Sequence, residues 1–136
     1  MADQPYPMMD IDPERYEQVD LPLFSEHLDP FLPDAVFDAH VHVNLGQYSP
    51  EPDEEAKRKN WPSAVPRHFP VEQMMRIQHK LFPGRKTRSL AFAMPHPENN
   101  LIALNRYVSE SARVSDEMDG LYVPRPYETP GALERT

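Results

Sequence analysis

Residues 36–43, Val-Phe-Asp-Ala-His-Val-His-Val, alternate with a period of two. Phe37, Ala39, Val41 and Val43 fall on one side of an extended chain and Asp38, His40 and His42 on the other, which predicts a strand with its apolar face against a helix. Two later stretches switch to helical spacing. Pro70 opens the first, Val71, Met74, Met75, Gln78, Leu81 and Phe82 follow with Ile77 beside them, and Pro83-Gly84 stops it. In the second, Asn99 or Asn100 supplies a cap, and Leu101, Leu104, Val108 and Ala112 line one face. Between them, Thr87 to Met94 reads as a second strand, with Leu90, Phe92 and Met94 on a bulky face and Ser89, Ala91 and Ala93 on a small one. Asp119-Gly120 reads as a turn, and Leu121-Tyr122-Val123 as the start of a third strand that Pro124 and Pro126 end early. The order β-α-β-α-β predicts an α/β fold with parallel strands.

The flanking stretches carry no such period. Residues 1–33 are acidic and broken by prolines, and their apolar side chains, from Tyr6 to Leu32, are scattered. They read as an N-terminal arm that packs over one end of the sheet or against a neighbour, ahead of a single α/β domain over residues 34–136. Within that domain, residues 44–69 form a connection of 26 residues, against about 2–6 for an ordinary strand-to-helix loop, and connections of that length tend to be lids or insertions. Glu51 to Lys59 runs from acidic to basic residues and predicts a short solvated helix. Trp61, Arg67 and His68 in this loop are candidates for the wall of a substrate pocket, with Arg67 pairing a substrate carboxylate. The competing reading is a structural excursion anchored by Trp61. His27 reads as a surface residue, and His79 as a helix-end residue that complements the dipole.

The strongest chemical signal is the histidine pair. At about 3.3 Å rise per residue, His40 and His42 stand roughly 6–7 Å apart along one face, which lets both rings converge on one ion with nitrogen–metal bonds of about 2.0–2.1 Å. The plain alternative is two histidines alternating with valines in an exposed strand. Asp38, on the same face in this reading, either fixes a ring tautomer, as metal-bound histidine usually requires, or is a solvated carboxylate. His96, just past the second strand between Pro95 and Pro97, is a further candidate for the substrate pocket, or else part of a structured turn. Cysteine is absent, so a metal site here must use histidines and carboxylates. There is no internal repeat, glycine-rich phosphate loop or Gly-x-Ser-x-Gly motif.

Phe37-Asp38-Ala39-His40-Val41-His42-Val43 resembles the first-strand motif of the amidohydrolase superfamily, metal-dependent (β/α)8 barrels. Asp-Ala-His-Val-His is especially similar to the amidohydrolase-related branch, which holds hydrolases, lactonases and non-oxidative decarboxylases. The resemblance runs from roughly Leu32 to Val123. It implies the first β/α units of a TIM barrel, with a divalent metal on His40 and His42. Zinc is the first expectation for that metal, with manganese and iron as alternatives. It also implies a metal-activated water that attacks a carbonyl and breaks a C–N or C–O bond, or decarboxylation by the same metal. The long loop then lies at the C-terminal face of the barrel, where active sites sit. The family's other ligands, histidines on the fifth and sixth strands and an aspartate on the eighth, have no positions here. A full barrel needs about 250 residues, so 136 residues hold about the first half, and the chain reads as truncated or as one segment of a larger protein.

Charge and composition narrow the partners. A net charge of −8 argues against nucleic acid, whose phosphates need a basic surface. No apolar run approaches the roughly 20 residues of a membrane span, and the N-terminus lacks a charged-then-apolar leader, so a cytoplasmic protein without membrane contact is expected. The expected ligand is a small-molecule substrate. The 17 prolines against 4 glycines predict long, fixed connections rather than tight hairpins. A half-barrel exposes sheet edges and apolar faces that must be covered. The competing function is therefore a non-catalytic interaction or assembly module, and a homo-oligomer is the expected form in which a lone half-barrel persists.

Overall fold

Three parallel strands, β1 (Ala35–Val43), β2 (Lys86–Ala93) and β3 (Met118–Leu121), lie side by side in chain order. The structure, a computed structural model, describes residues 10–126, apart from the side chains of Trp61 and Pro62. The chain crosses from β1 to β2 through α4 (Val71–Leu81) and from β2 to β3 through α5 (Leu101–Val114). These are the helices that the apolar spacing predicts. Asn100 accepts the Ala103 N–H at 3.2 Å, so it rather than Asn99 caps α5. Gly84, at φ +76°, turns the chain out of α4 towards β2.

Both helices cover the same face of the sheet. Val71 and Met74 of α4 and Val108 of α5 share one core with Val43, Ala91 and Met118 from the three strands. The small side of β2, Ser89, Ala91 and Ala93, is fully buried, because small side chains let the helices approach the sheet closely. The bulky side, with Leu90 and Phe92, looks the other way. Phe37 and Leu121 share that side by register and are 55% and 47% exposed, so no helix layer covers it among the described residues.

The two helices are also tied to each other. Pro70 precedes α4 and supplies no side-chain cap, and the Val71 N–H donates instead to the Tyr107 hydroxyl of α5 at 2.8 Å. Burial holds the phenol in its neutral form and raises its pKa, and the Val71 N–H, which favours the phenolate, opposes that shift without cancelling it. Tyr107→Phe keeps the ring but leaves that N–H without its partner. It is expected to cost about 1–2 kcal/mol in urea unfolding, and an unchanged midpoint would refute the cap.

Two expectations from the sequence are corrected. The third strand starts at Met118, so Asp119 and Gly120 are strand rather than turn. Asp119 pairs with Arg88 on β2 at 2.7 Å, and a Cβ on Gly120 would stand 3.0 Å from Val108 Cγ1, so the glycine is there for close helix approach. Asn105 then holds Val123 by both its N–H and its carbonyl. The arm is helical over residues 13–28: α-type turns α1 (Pro13–Arg15) and α2 (Leu21–Leu23) alternate with π-type turns at Tyr16–Asp20 and Phe24–Leu28. Asp12 caps it, accepting from the Glu14 and Arg15 N–H groups. The π-type turn relates Tyr16 to Leu21, five residues on and like it partly buried, a spacing that a search at 3.6 misses. The arm runs along α4, with Tyr16 Oη donating to the Lys80 carbonyl at 2.8 Å and Asp29 bound by Arg85.

Candidate metal centre

His40 and His42 stand near the C-terminal end of β1, their Nε2 atoms 3.2 Å apart. Both rings rest edge-on against Phe92 of β2, at centroid distances of 4.8 and 4.5 Å. They therefore lie on the open side of the sheet, together, as the two-residue spacing predicts.

Asp38 does not join them. Between Asp38, which pairs with Ser89, and Val41, which pairs with Ala91, two residues of β1 face one of β2. This β-bulge at Ala39 and His40 shifts the alternation by one position. Phe37 is carried to the open side, Ala39 is exposed, and only Val41 and Val43 keep the helix-packed side expected of all four. Asp38 goes to the helix side and reaches Gln78 of α4 at 3.5 Å, and Gln78 in turn accepts from Ser89 Oγ at 2.7 Å. Its other oxygen accepts the backbone N–H of His40 at 3.1 Å. Asp38 thus holds the main chain of the bulge, and the expected ring contact is replaced by that role.

The two nitrogens suit a shared ion. At 3.2 Å apart, both can sit about 2.05 Å from one metal with a nitrogen–metal–nitrogen angle of about 100°, close to tetrahedral. Without a metal the same contact needs one ring to donate and the other to accept. No group of three or more His, Asp or Glu placed to hold one ion occurs among the described residues, which therefore present at most two of the four ligands of a tetrahedral sphere. The Nδ1 atom of His42 is buried and without a hydrogen-bond partner. The Ala93 carbonyl lies close enough to favour the protonated ring, and Phe92 packs against its edge.

The pKa of His42 lies below its ordinary value of 6.5, first through burial, then through repulsion by His40, with the Ala93 carbonyl opposing the shift. The ring is neutral near pH 7, the form a metal ligand needs. In the metal-free chain, a lowered folded-state pKa means that the unfolded chain takes up the proton first. The His42 contribution to stability is therefore complete above pH 6.5 and is lost as the pH falls through the lowered value. Melting midpoints between pH 8 and 5 are expected to drop below 6.5, with a smaller drop in His42→Gln. Equal drops in both proteins would overturn this account.

The long loop sits over the same end of the sheet. Asn44 and Phe69 exchange backbone hydrogen bonds at 2.9 and 2.8 Å, closing residues 44–69 into a stirrup, and the Asn100 N–H of α5 donates to the Tyr48 carbonyl. Asp53 caps the short helix α3 (Glu54–Lys59), much as the charge pattern predicts. Val65, Pro66, Arg67 and Phe69 line a cavity of about 330 Å³ that also reaches Asp38, His40, His42 and Met94. Arg67 and the two histidines thus line one cavity, together with Met74, Ile77, Gln78 and Leu81 of α4. His68 lies apart from that lining, its Nδ1 accepting from the Gly46 N–H at 3.2 Å. His96 is also outside it, its Nδ1 accepting the Glu98 N–H within a turn. The side chain of Trp61 lies outside the described residues. Arg67 is 6% exposed and forms no hydrogen bond or ion pair among the described residues, with Nε fully enclosed. A guanidinium enclosed without a partner costs several kcal/mol. The residues missed from the sequence are Phe92 and Gln78: the first needed the β1–β2 register, the second the bulge.

No family model, curated protein or solved structure matches the chain. No described helix is long and apolar enough to cross a membrane.

Proposed function

We propose that this chain supplies the opening β/α units and two metal ligands of an amidohydrolase-like (β/α)8 hydrolase. The observation that carries the reading is the convergence of His40 Nε2 and His42 Nε2, 3.2 Å apart on the open side of a parallel sheet. The sheet supports it. Strands in chain order with both helices on one face suit consecutive barrel units, whereas a doubly wound sheet reverses its order and is covered on both faces. A divalent metal, zinc first, supplies Lewis acidity and an activated water when bound. His40 and His42 hold it, Phe92 orients both rings, and Asp38 secures the backbone that presents His40. Further ligands come from outside this set, in later strands or a second copy. Decarboxylation of a carboxylic acid on the same metal is the variant within this reading.

The test is a Zn²⁺ titration of the chain followed through the histidine ring nitrogens. Coordinated shifts of His40 and His42 Nε2 are expected, with weak affinity because two imidazoles are half of a four-ligand sphere. Shifts confined to His27, His68, His79 or His96 would overturn the reading. Metal-dependent cleavage of esters or amides, abolished by a chelator, then separates hydrolysis from decarboxylation. The exposed Phe37 and Leu121 on the open sheet face favour a second reading, an assembly module, which predicts self-association with no metal uptake by the histidine pair.

A further inference from the structure

We propose that Arg67 is an anion anchor and that the cavity beside the histidine pair takes a small monocarboxylate with an apolar body. The inference deepens the metal-site reading by naming its substrate class, yet the cavity and the guanidinium stand independently of any metal.

Three observations converge. Arg67 is more than nine-tenths buried and has no hydrogen-bond or ion-pair partner among the described residues. Asp38, the acid that shares the cavity lining, accepts from the His40 N–H and from Gln78 and forms no ion pair with Arg67, so the guanidinium fork is left open to a ligand. The neighbouring walls are apolar: Val65, Pro66, Phe69 and Met74. A planar guanidinium fork binds a carboxylate through two parallel N–H···O bonds. A cavity of about 330 Å³ matches the lower end of small-molecule sites. Phosphate is disfavoured because Arg67 is the sole lysine or arginine among the lining residues, leaving a dianion half neutralised. The apolar side chains next to Arg67 in sequence, Val65, Pro66 and Phe69, favour a compact acid whose other end is apolar.

The experiment titrates the full 136-residue chain, metal-free, with benzoate, its uncharged isostere benzamide, and inorganic phosphate, using backbone and guanidinium NMR. Benzoate is expected to bind saturably and to shift Arg67 and residues 65–69, with benzamide and phosphate at least about tenfold weaker, the loss of a charge-assisted bond. Arg67→Gln should weaken benzoate by a similar factor and leave benzamide unchanged, while Arg67→Lys retains part of the preference. Equal binding of benzoate and benzamide, phosphate binding as tight as benzoate, an unaffected Arg67→Gln, or no saturable benzoate binding would each overturn the proposal. If Arg67→Gln does not fold, the wild-type benzoate-to-benzamide ratio and Arg67→Lys decide it. A Zn²⁺ titration of the same sample separates the two readings. Zinc on His40 and His42 without benzoate binding removes the anchor alone, and benzoate binding with zinc shifts confined to the other histidines removes the metal site alone.

Discussion

His40→Ala and His42→Ala are each expected to weaken divalent-metal binding by more than about 100-fold, beyond what loss of a supporting partner costs a metal site. A chelate of two imidazoles becomes a single exposed ligand when either ring is removed. The 3.2 Å contact between the Nε2 atoms is made by these two side chains alone. Neither ring belongs to the core beneath the helices, so both variants should keep the wild-type circular dichroism spectrum and lose about 1 kcal/mol or less in stability, no more than an average point substitution. Calorimetric titration with Zn²⁺ checks the first part and urea unfolding the second. Undiminished zinc affinity in both variants would refute the ligand assignment. A global loss of structure would show that the pair serves the fold.

Met74→Ala is expected to produce the largest loss of stability, about 2–5 kcal/mol, out of the 5–15 kcal/mol typical of a domain. Met74 is 1% exposed and joins Val43, Ala91, Val108 and Met118 in the core where all three strands meet both helices. It also forms part of the wall of the cavity that holds the histidines and Arg67. Truncation therefore opens a void beneath the sheet and enlarges the site from below. Met74→Leu, which keeps the volume, should cost less than about 1.5 kcal/mol. Denaturant midpoints compare the two, and equal losses would show that polarity or backbone effects rather than volume set the cost.

Much of the architecture was legible in the chain. Val71, Met74, Gln78 and Leu81 repeat at helical spacing, and α4 covers that stretch. The small-and-bulky alternation of β2 marks its two faces correctly, and Ser89, Ala91 and Ala93 are the buried side. The pairing of His40 with His42 on one face follows from the two-residue period, because the spacing across that one step survives the bulge. These features are local. Period, caps and turn residues act over a few positions, so sequence alone determines them.

What only the tertiary structure decided depends on partners distant in the chain. The bulge at Ala39 and His40 exists in the register between β1 and β2, and no alternation within β1 reveals it. It sends Asp38 to Gln78 and Phe37 to the open side. Asp119 and Gly120 carry turn residues, yet Arg88 and Val108 recruit them into β3. Arg67 is one basic residue among 14 until the Asn44–Phe69 bridge closes the stirrup and encloses its charge beside the histidines. Local sequence sets which elements form. Burial and register, which arise only once distant elements meet, set which side chains face one another, and it is at that level that the site is assembled.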